Sequence, residues 1–376
     1  MEKKIVIIIG GGIAGLTAAI HLSKTDHQVV LVEKHSFPRH KVCGEYISNE
    51  VLPYLKWLDA DPLVLHPTKI TKTILSTSSG ELIEAVLPLG GFGISRYVFD
   101  NFLRDKAEAN GASIIHASAT SVAFENNKFT VNLSNDTALT SDIVLGAFGK
   151  RSNIDQQMRR FFTKQQSRWL AVKAHYSGEY PEDTVGLYNF KGGYCGISKV
   201  ENGLINICYL ADYKSFKQFK NIDDYNENVV YGNPHLKQII GSSKPVFEKP
   251  LTISQISFAS KKAVEDHILM IGDTAGLINP LCGNGMAMAI HSAKIVSELI
   301  GQYSDGKINT RDQLEKMYES EWRKFFKPRF ITGRMLANAM QSDKAASFLM
   351  GCLTSFPFLL PKIIRKTHGE LLNVPL

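Results

Sequence analysis

Lys4-Ile5-Val6-Ile7-Ile8-Ile9-Gly10-Gly11-Gly12-Ile13-Ala14-Gly15 is the stretch whose reading decides the fold. Its first half is short, β-branched and nearly uncharged, the pattern of a strand buried on both faces. Its second half fits G-x-G-x-x-G through Gly10, Gly12 and Gly15. A helical run follows, with Leu16, Ala19, Ile20 and Leu22 as apolar positions. Val29 to Val32 then reads as a second strand, ending at Glu33. This βαβ context makes the glycine motif a dinucleotide signature. The first glycine permits the tight turn, the second admits a pyrophosphate, and the third lets helix and strand pack closely. Gly10, Gly12, Ile13, Ala14 and Gly15 are therefore candidate phosphate contacts at a helix N-terminus. Glu33 stands where an acid binds ribose hydroxyls, and Lys34 beside it is a further candidate contact.

The chain has 376 residues, 44% hydrophobic and 21% charged, with a net charge of +7. That length allows two domains, or one large domain with an insertion. The mild basicity suits anionic cofactors or a negatively charged membrane surface. No long Lys/Arg run or RNA-binding aromatic signature is found, so nucleic acid is not an expected partner. Five cysteines without C-x-x-C point to reduced thiols and a cytoplasmic setting. Met1 leads almost directly into the first strand, so no signal peptide is expected. No apolar stretch is long enough for a spanning helix. No metal site is expected, and the oligomeric state is left open.

Phe37 to Glu45 is punctuated by Pro and Gly and reads as a loop. Lys41 is its candidate phosphate contact and Cys43 its candidate reactive thiol. Residues 70–77 and 81–87 read as a hairpin. Arg96 opens a helix with Phe99, Phe102, Leu103 and Ala107 on its apolar face, and is a further cofactor candidate. Residues 113–117, 121–124 and 129–133 read as a meander, and 142–149 as a buried strand returning to the cofactor sheet. From Trp169 onward, four strand-like runs (169–176, 184–190, 194–200 and 204–210) predict a mostly antiparallel sheet forming one wall of a substrate pocket. Lys173, His175, Tyr188, Tyr194 and Tyr209 are its polar or aromatic candidates. His175 is singled out because imidazole suits proton transfer near neutrality.

A second glycine-rich site follows the strand His267 to Ile271. It runs Gly272-Asp273 through Pro280, Gly283, Asn284, Gly285 and Met286, where a long helix begins. A carboxylate at a strand's C-terminal end can hold a ribityl hydroxyl. Gly283 and Gly285 clear space for a flat ring. The helix N-terminus behind them favours the negative charge of a reduced flavin.

With both glycine sites in hand, the chain resembles the FAD-dependent oxidoreductase superfamily of the para-hydroxybenzoate hydroxylase fold. Gly10 to Glu33 is similar to its ADP-binding fingerprint. Gly272-Asp273 through Gly285 is similar to its G-D-x-x-G…P-x-x-G-x-G flavin fingerprint. Arg96 with Asp100 resembles its R-x-x-x-D segment, and Lys41-Val42-Cys43-Gly44 resembles the K-x-C-G loop of the geranylgeranyl reductase branch. The resemblance implies an α/β protein: a Rossmann-type, glutathione reductase-like FAD domain (1–69, 91–165, 258–310), an inserted antiparallel sheet (70–90, 166–257) and a C-terminal helical region (311–376). It implies FAD as cofactor, with NADH or NADPH as transient donor. Two departures are seen. Phe148 replaces the acid of the usual Ala-Asp-Gly middle fingerprint, which leaves the donor open, and Tyr194-Cys195-Gly196-Ile197 stands where the reductase branch carries Tyr-x-Trp-x-Phe-Pro.

The expected activity is that of a monooxygenase hydroxylating a lipophilic phenolic or polyketide-like molecule through a flavin C4a-hydroperoxide. The alternatives are a C=C reductase or dehydrogenase of the geranylgeranyl reductase type, and a non-catalytic flavin-binding protein. Tyr318 to Met340 reads as a long helix interrupted near Pro328. The uncharged stretch 345–361 ends in Phe356-Pro357-Phe358-Leu359-Leu360-Pro361, with Lys362, Arg365 and Lys366 after it. The two readings of this region are a helical cap, and a lipophilic tunnel or peripheral membrane contact.

Overall fold

The computed structural model describes residues 3–165 and 167–374. Residues 1, 2, 166, 375 and 376, which the expected domain ranges include, lie outside the described residues. The strand β1 (Ile5–Ile9) sits at the centre of a six-stranded sheet. It pairs in parallel with β2 (Gln28–Val32) on one side and β10 (Ile143–Gly146) on the other. The sheet continues through β6 (Ser113–Ile115) at one edge, and through β18 (Ile268–Met270) and β17 (Val264–Glu265) at the other. Burial on both faces explains the unbroken β-branched runs: Val6, Ile7, Ile8, Val144 and Leu145 are fully enclosed.

Helix α1 (Ile13–Lys24) packs against both α3 (Arg96–Ala109) and α8 (Gly285–Ser304) beside this sheet. The short helix α2 (Leu52–Trp57) joins the same core through Tyr54 and Leu55. The sequence assigns residues 113–117 to a meander. They instead extend the parallel sheet, because Ser113 to Ile115 register with Val30 to Val32. The meander proper is β7 (Ala119–Glu125), β8 (Lys128–Leu133) and β9 (Ala138–Ser141).

A second, nine-stranded sheet carries β11 (Trp169–Ser177), β12 (Thr184–Phe190), β13 (Gly193–Lys199) and β14 (Ile205–Asp212). The hairpin β4 (Thr68–Ser76) and β5 (Leu82–Gly93) joins it through a parallel β12–β4 pairing. Its remaining members are β3 (Tyr46–Ser48), β15 (Lys244–Pro245) and β16 (Leu251–Ser254). The short helices α4 (Asn153–Gln157), α5 (Tyr213–Phe216), α6 (Ile222–Asn228) and α7 (Pro234–Gly241) cap the connections. One face of this sheet packs on Tyr225, Leu236 and Ile240. The other turns toward the FAD-type sheet.

The C-terminal region is helical: α9 (Arg311–Met340), α10 (Asp343–Ser355) and α11 (Leu359–Thr367). Helix α9 runs through Pro328 without the expected interruption. Pro removes one backbone N–H from the ladder, but Phe326 and Arg329 anchor the helix on both sides of it, Arg329 through a buried pair with Glu50 at 3.0 Å. The sequence read 345–361 as one stretch. It is broken at Phe356-Pro357, where α10 ends before α11 begins.

Gly10 adopts φ +117°, and a Cβ at Gly15 would lie 2.0 Å from the Gly10 carbonyl oxygen. The closeness of helix and strand therefore depends on hydrogen at position 15. Gly15→Ala is expected to cost about 1–3 kcal/mol of stability by overpacking, read as a lower midpoint in urea unfolding. An unchanged midpoint would contradict this packing.

Candidate functional site

The phosphate turn Gly10–Gly15 closes on a compact charged cluster. Glu33 caps it: one carboxylate oxygen accepts from the Gly11 N–H at 2.7 Å and the other from His35 N–H at 2.9 Å. Lys41 donates to the Gly11 carbonyl at 3.2 Å and to Asp100 at 2.7 Å. Arg96 makes a two-bond fork to Asp100, at 2.7 and 2.8 Å, the geometry that guanidinium and carboxylate favour. Its Nη2 would be the nearest atom, at 3.8 Å, to a Cβ built on Gly12. Burial would raise the Asp100 carboxyl, but the Arg96 and Lys41 charges outweigh it and hold it below the usual carboxylate range. Burial lowers the Lys41 ammonium despite Asp100. Gly10, Gly12, Ile13, Ala14, Gly15, Glu33, Lys41 and Arg96 thus lie together. Lys34 does not join them; it points into solvent beyond β2.

The second glycine site abuts the first through Ala14, whose methyl faces Gly272. Two cations, Arg160 buried and Lys261 half-buried, fix it from behind. Arg160 donates to Asp155, Glu265, and the carbonyls of Thr274 and Lys262, all at 2.8–3.0 Å. Lys261 donates to the carbonyls of Asp273 at 2.8 Å and Lys150 at 3.0 Å, and burial pushes it down to about 8. Lys261 thereby ties Lys150 of the middle fingerprint to the Gly272-Asp273 turn. Gly283, Asn284, Gly285 and Met286 open α8, with Pro280 exposed in the turn before it.

Cys43 bridges the two glycine sites. Its Sγ lies 3.5 Å from the Met286 sulfur, and Asn206 of β14 donates to its carbonyl at 3.2 Å. Two residues on, Glu45 is fully buried. It accepts from Lys173 at 2.8 Å and the Arg96 backbone N–H at 2.8 Å, and pairs with His175 Nε2 at 2.6 Å. Burial alone would raise the Glu45 carboxyl. The His175 hydrogen bond and the Lys173 charge outweigh burial and hold it below the usual range. His40 lies edge-on to His175, with ring centroids 5.2 Å apart, and is pushed down to about 4 by burial, Lys173 and His175. The donor atoms of His40, Glu45 and His175 converge within 4.8 Å, as in a metal site. The Lys173 ammonium already neutralises Glu45, so the set is better described as a closed ionic network.

Strand alternation puts Lys173 and His175 on one face of β11, facing Asn206 of β14 and Ser198 of β13. Tyr194 lies on this face too, packed with Val42, Trp169, Phe258 and Leu277 as an apolar wall. Tyr188 and Tyr209 do not join the site. They lie on the opposite face and bond to Tyr180 and Asn226. Glu45, Lys261, Arg160 and Asn206 were not assigned roles from sequence. Lys173-x-His175 on an alternating strand was the available signal, since i and i+2 share a face. Nothing in the sequence named Glu45 as their partner.

The residues fit a flavin dinucleotide. Asn284 Oδ1, Asn206 Oδ1 and the Ser198 hydroxyl are buried without a hydrogen-bond partner among the described residues, and all three belong to this region. Unpaired buried polar atoms are costly, so they mark places where a bound group completes the bonding. The carboxylate of Asp273 has no hydrogen bond among the described residues and is half-buried at the end of β18.

Comparison with known proteins agrees. Residues 6–44 match the family model described as FAD dependent oxidoreductase. The digeranylgeranylglycerophospholipid reductase of Methanosarcina acetivorans is 24% identical over 347 residues, covering 85% of this chain and 80% of the relative. The flavin-dependent brominase Bmp2 superposes with a TM-score of 0.78 at 18% identity, over 98% of this chain and 94% of its own. A geranylgeranyl bacteriochlorophyll reductase-like protein of Thermoplasma acidophilum does so with a TM-score of 0.72 at 18% identity, over 99% and 93%. The fold is that of FAD-binding halogenases and reductases. The family match over residues 6–44 and the shared fold are those of FAD-dependent oxidoreductases.

Two outcomes are expected. Asp273→Ala should fold normally but bind FAD at least about tenfold more weakly, the cost of one charge-assisted hydrogen bond; full, tight loading would contradict the ribityl assignment. Asp100 stabilises the fold above the ordinary carboxylate value near 4, and that contribution disappears as pH falls through its lowered native value. Melting curves in acid should therefore show Asp100→Asn less stable than wild type at neutral pH, with a shallower loss on acidification. Parallel acid limbs would contradict the assignment.

Proposed function

We propose that this FAD-dependent oxidoreductase reduces a carbon–carbon double bond in a lipophilic substrate. The observation that carries the reading is Cys43, set between the start of α8 and the face of the second sheet, with the buried Glu45–Lys173–His175 network behind it. FAD held by the two glycine sites would, when reduced, supply hydride chemistry to the double bond. The Cys43 thiol delivers a proton to one carbon of that bond, and solvent restores it afterwards. Glu45 holds the Cys43 loop against α3 and β11. Asn206 fixes the loop's carbonyl. The wall of Tyr194, Trp169, Phe258 and Leu277 excludes water and receives an apolar chain. The likeness to the digeranylgeranylglycerophospholipid reductases of Methanosarcina over most of both chains supports this reading. NADH or NADPH as the electron source belongs to the same proposal.

A second reading is hydroxylation of a lipophilic phenolic or polyketide-like compound. The aromatic character of the same wall favours it, with Trp169 and Phe258 in a T-shaped pair at 6.3 Å, since planar substrates stack on such rings. The deciding experiment mixes photoreduced enzyme, without oxygen, with polyprenyl lipids. Flavin reoxidation with one saturated bond per flavin is the expected result, slowed about 10²–10⁴-fold in Cys43→Ala while FAD stays bound. Reoxidation only with oxygen, yielding a hydroxylated product, would replace this reading with the second.

A further inference from the structure

The positive charge of this chain is concentrated at its C-terminal end. Between Trp322 and Gly369 stand nine lysines and arginines against one acid, Asp343. The net charge of the whole chain is +7, so the remainder is close to neutral. Arg329 is buried against Glu50, and the other eight basic residues are exposed.

The same region exposes aromatic rings. Phe348 is 76% exposed, Phe356 53% and Phe358 57%. Phe356 and Phe358 flank the break between α10 and α11, whose axes are bent by 117°. These rings are not a packing face left uncovered. The inner faces of both helices are already buried, with Leu353, Leu360 and Ile364 packed on Tyr46, Ile70 and Leu87 of the second sheet. Lys362, Arg365 and Lys366 share the outer face of α11, and the Lys362 ammonium lies 4.9 Å above the Phe358 ring. Among the described residues, no single helix is long and apolar enough to cross a membrane. A bent, anchored pair with aromatics at its tip and cations beside them is suited to lie in an interface.

We propose that the α10–α11 tip docks on an anionic lipid membrane. Phe348, Phe356 and Phe358 enter the boundary between headgroups and acyl chains, while Lys362, Arg365 and Lys366 meet lipid phosphates. The charge decides for this occupant, because a field of one sign beside exposed rings complements a negatively charged bilayer surface. Docking also turns a cleft between α11 and β5 toward the lipid. Tyr46, Leu87, Gly90, Ile364 and His368 line that cleft, and Tyr46 borders Gly283 of the flavin segment. Passage of substrate along the cleft rests on the lipophilic-substrate reading; docking itself does not.

The test is co-sedimentation of the oxidised, FAD-loaded full chain with vesicles of phosphatidylcholine alone, or of phosphatidylcholine mixed with phosphatidylglycerol. Two variants accompany it, Phe356→Ser/Phe358→Ser and Lys362→Gln/Arg365→Gln/Lys366→Gln. All the changed side chains are exposed, so both variants should keep the wild-type flavin spectrum. Wild type should prefer anionic vesicles by more than about tenfold and lose that preference in high salt. The aromatic variant should bind about tenfold more weakly, and the cationic variant on the order of a hundredfold more weakly. No vesicle binding, equal binding to neutral vesicles, or an aromatic variant that binds like wild type would overturn the proposal. So would light scattering that shows a dimer dissolved by the aromatic variant, which would assign the tip to a second copy. None of these readouts involves turnover, so they are independent of the reaction proposed above.

Discussion

The structure depends on one buried carboxylate. Glu45 is removed from water, and an isolated ion there would be untenable. Three donors resolve the difficulty: the Lys173 ammonium, the His175 ring and the backbone N–H that opens α3. A second buried acid, Glu201, accepts from the Ser95 N–H at the same helix end. Both carboxylates face the positive end of α3, where a helix favours negative charge. The bonds run from the K-x-C-G loop to the dinucleotide domain on one side and to the second sheet on the other. They fix where Cys43 lies between α8 and β14.

The local constraints were readable in the sequence. Gly10 to Glu33 is a short βαβ unit in which backbone conformation, close approach and a capping acid act over about thirty residues, so spacing reveals it. The Gly272 to Met286 site was readable for the same reason, and strand alternation gave most of the second sheet. What was missed is set by distant partners. Glu45 meets Lys173 and His175 across 128 and 130 residues, a separation that periodicity does not encode. The three-residue strand β3 is too short to show alternation. Residues 113–115 look like any strand until pairing with β2 selects their sheet. Pro328 read as a break because the propensity rule ignores the contacts of Phe326 and Arg329 that hold α9 together.

Charge is divided between two uses. Around the glycine sites the cations that set positions are paired: Arg96 and Lys41 on Asp100, Lys173 on Glu45, Arg160 on Asp155 and Glu265. These pairs set positions. At the C-terminal end the cations other than Arg329 are exposed and almost without acids in the sequence around them, so their field reaches outward. Buried Arg329–Glu50 and the Asn284 bond to the Thr367 carbonyl, at 3.0 Å, connect the two regions. The exposed helical tip is therefore held firmly to the segment that opens α8.

Glu45 and Lys173 act as one buried unit joining the loop to the sheet. A double-mutant cycle with Glu45→Gln, Lys173→Met and both together, followed by urea unfolding of the full chain, tests it most directly. Each single change leaves the partner charge buried and uncompensated, whereas the double change removes both. The expected coupling is at least about 2 kcal/mol, with the double variant more stable than the sum of the single effects implies. Single effects that simply add would contradict it.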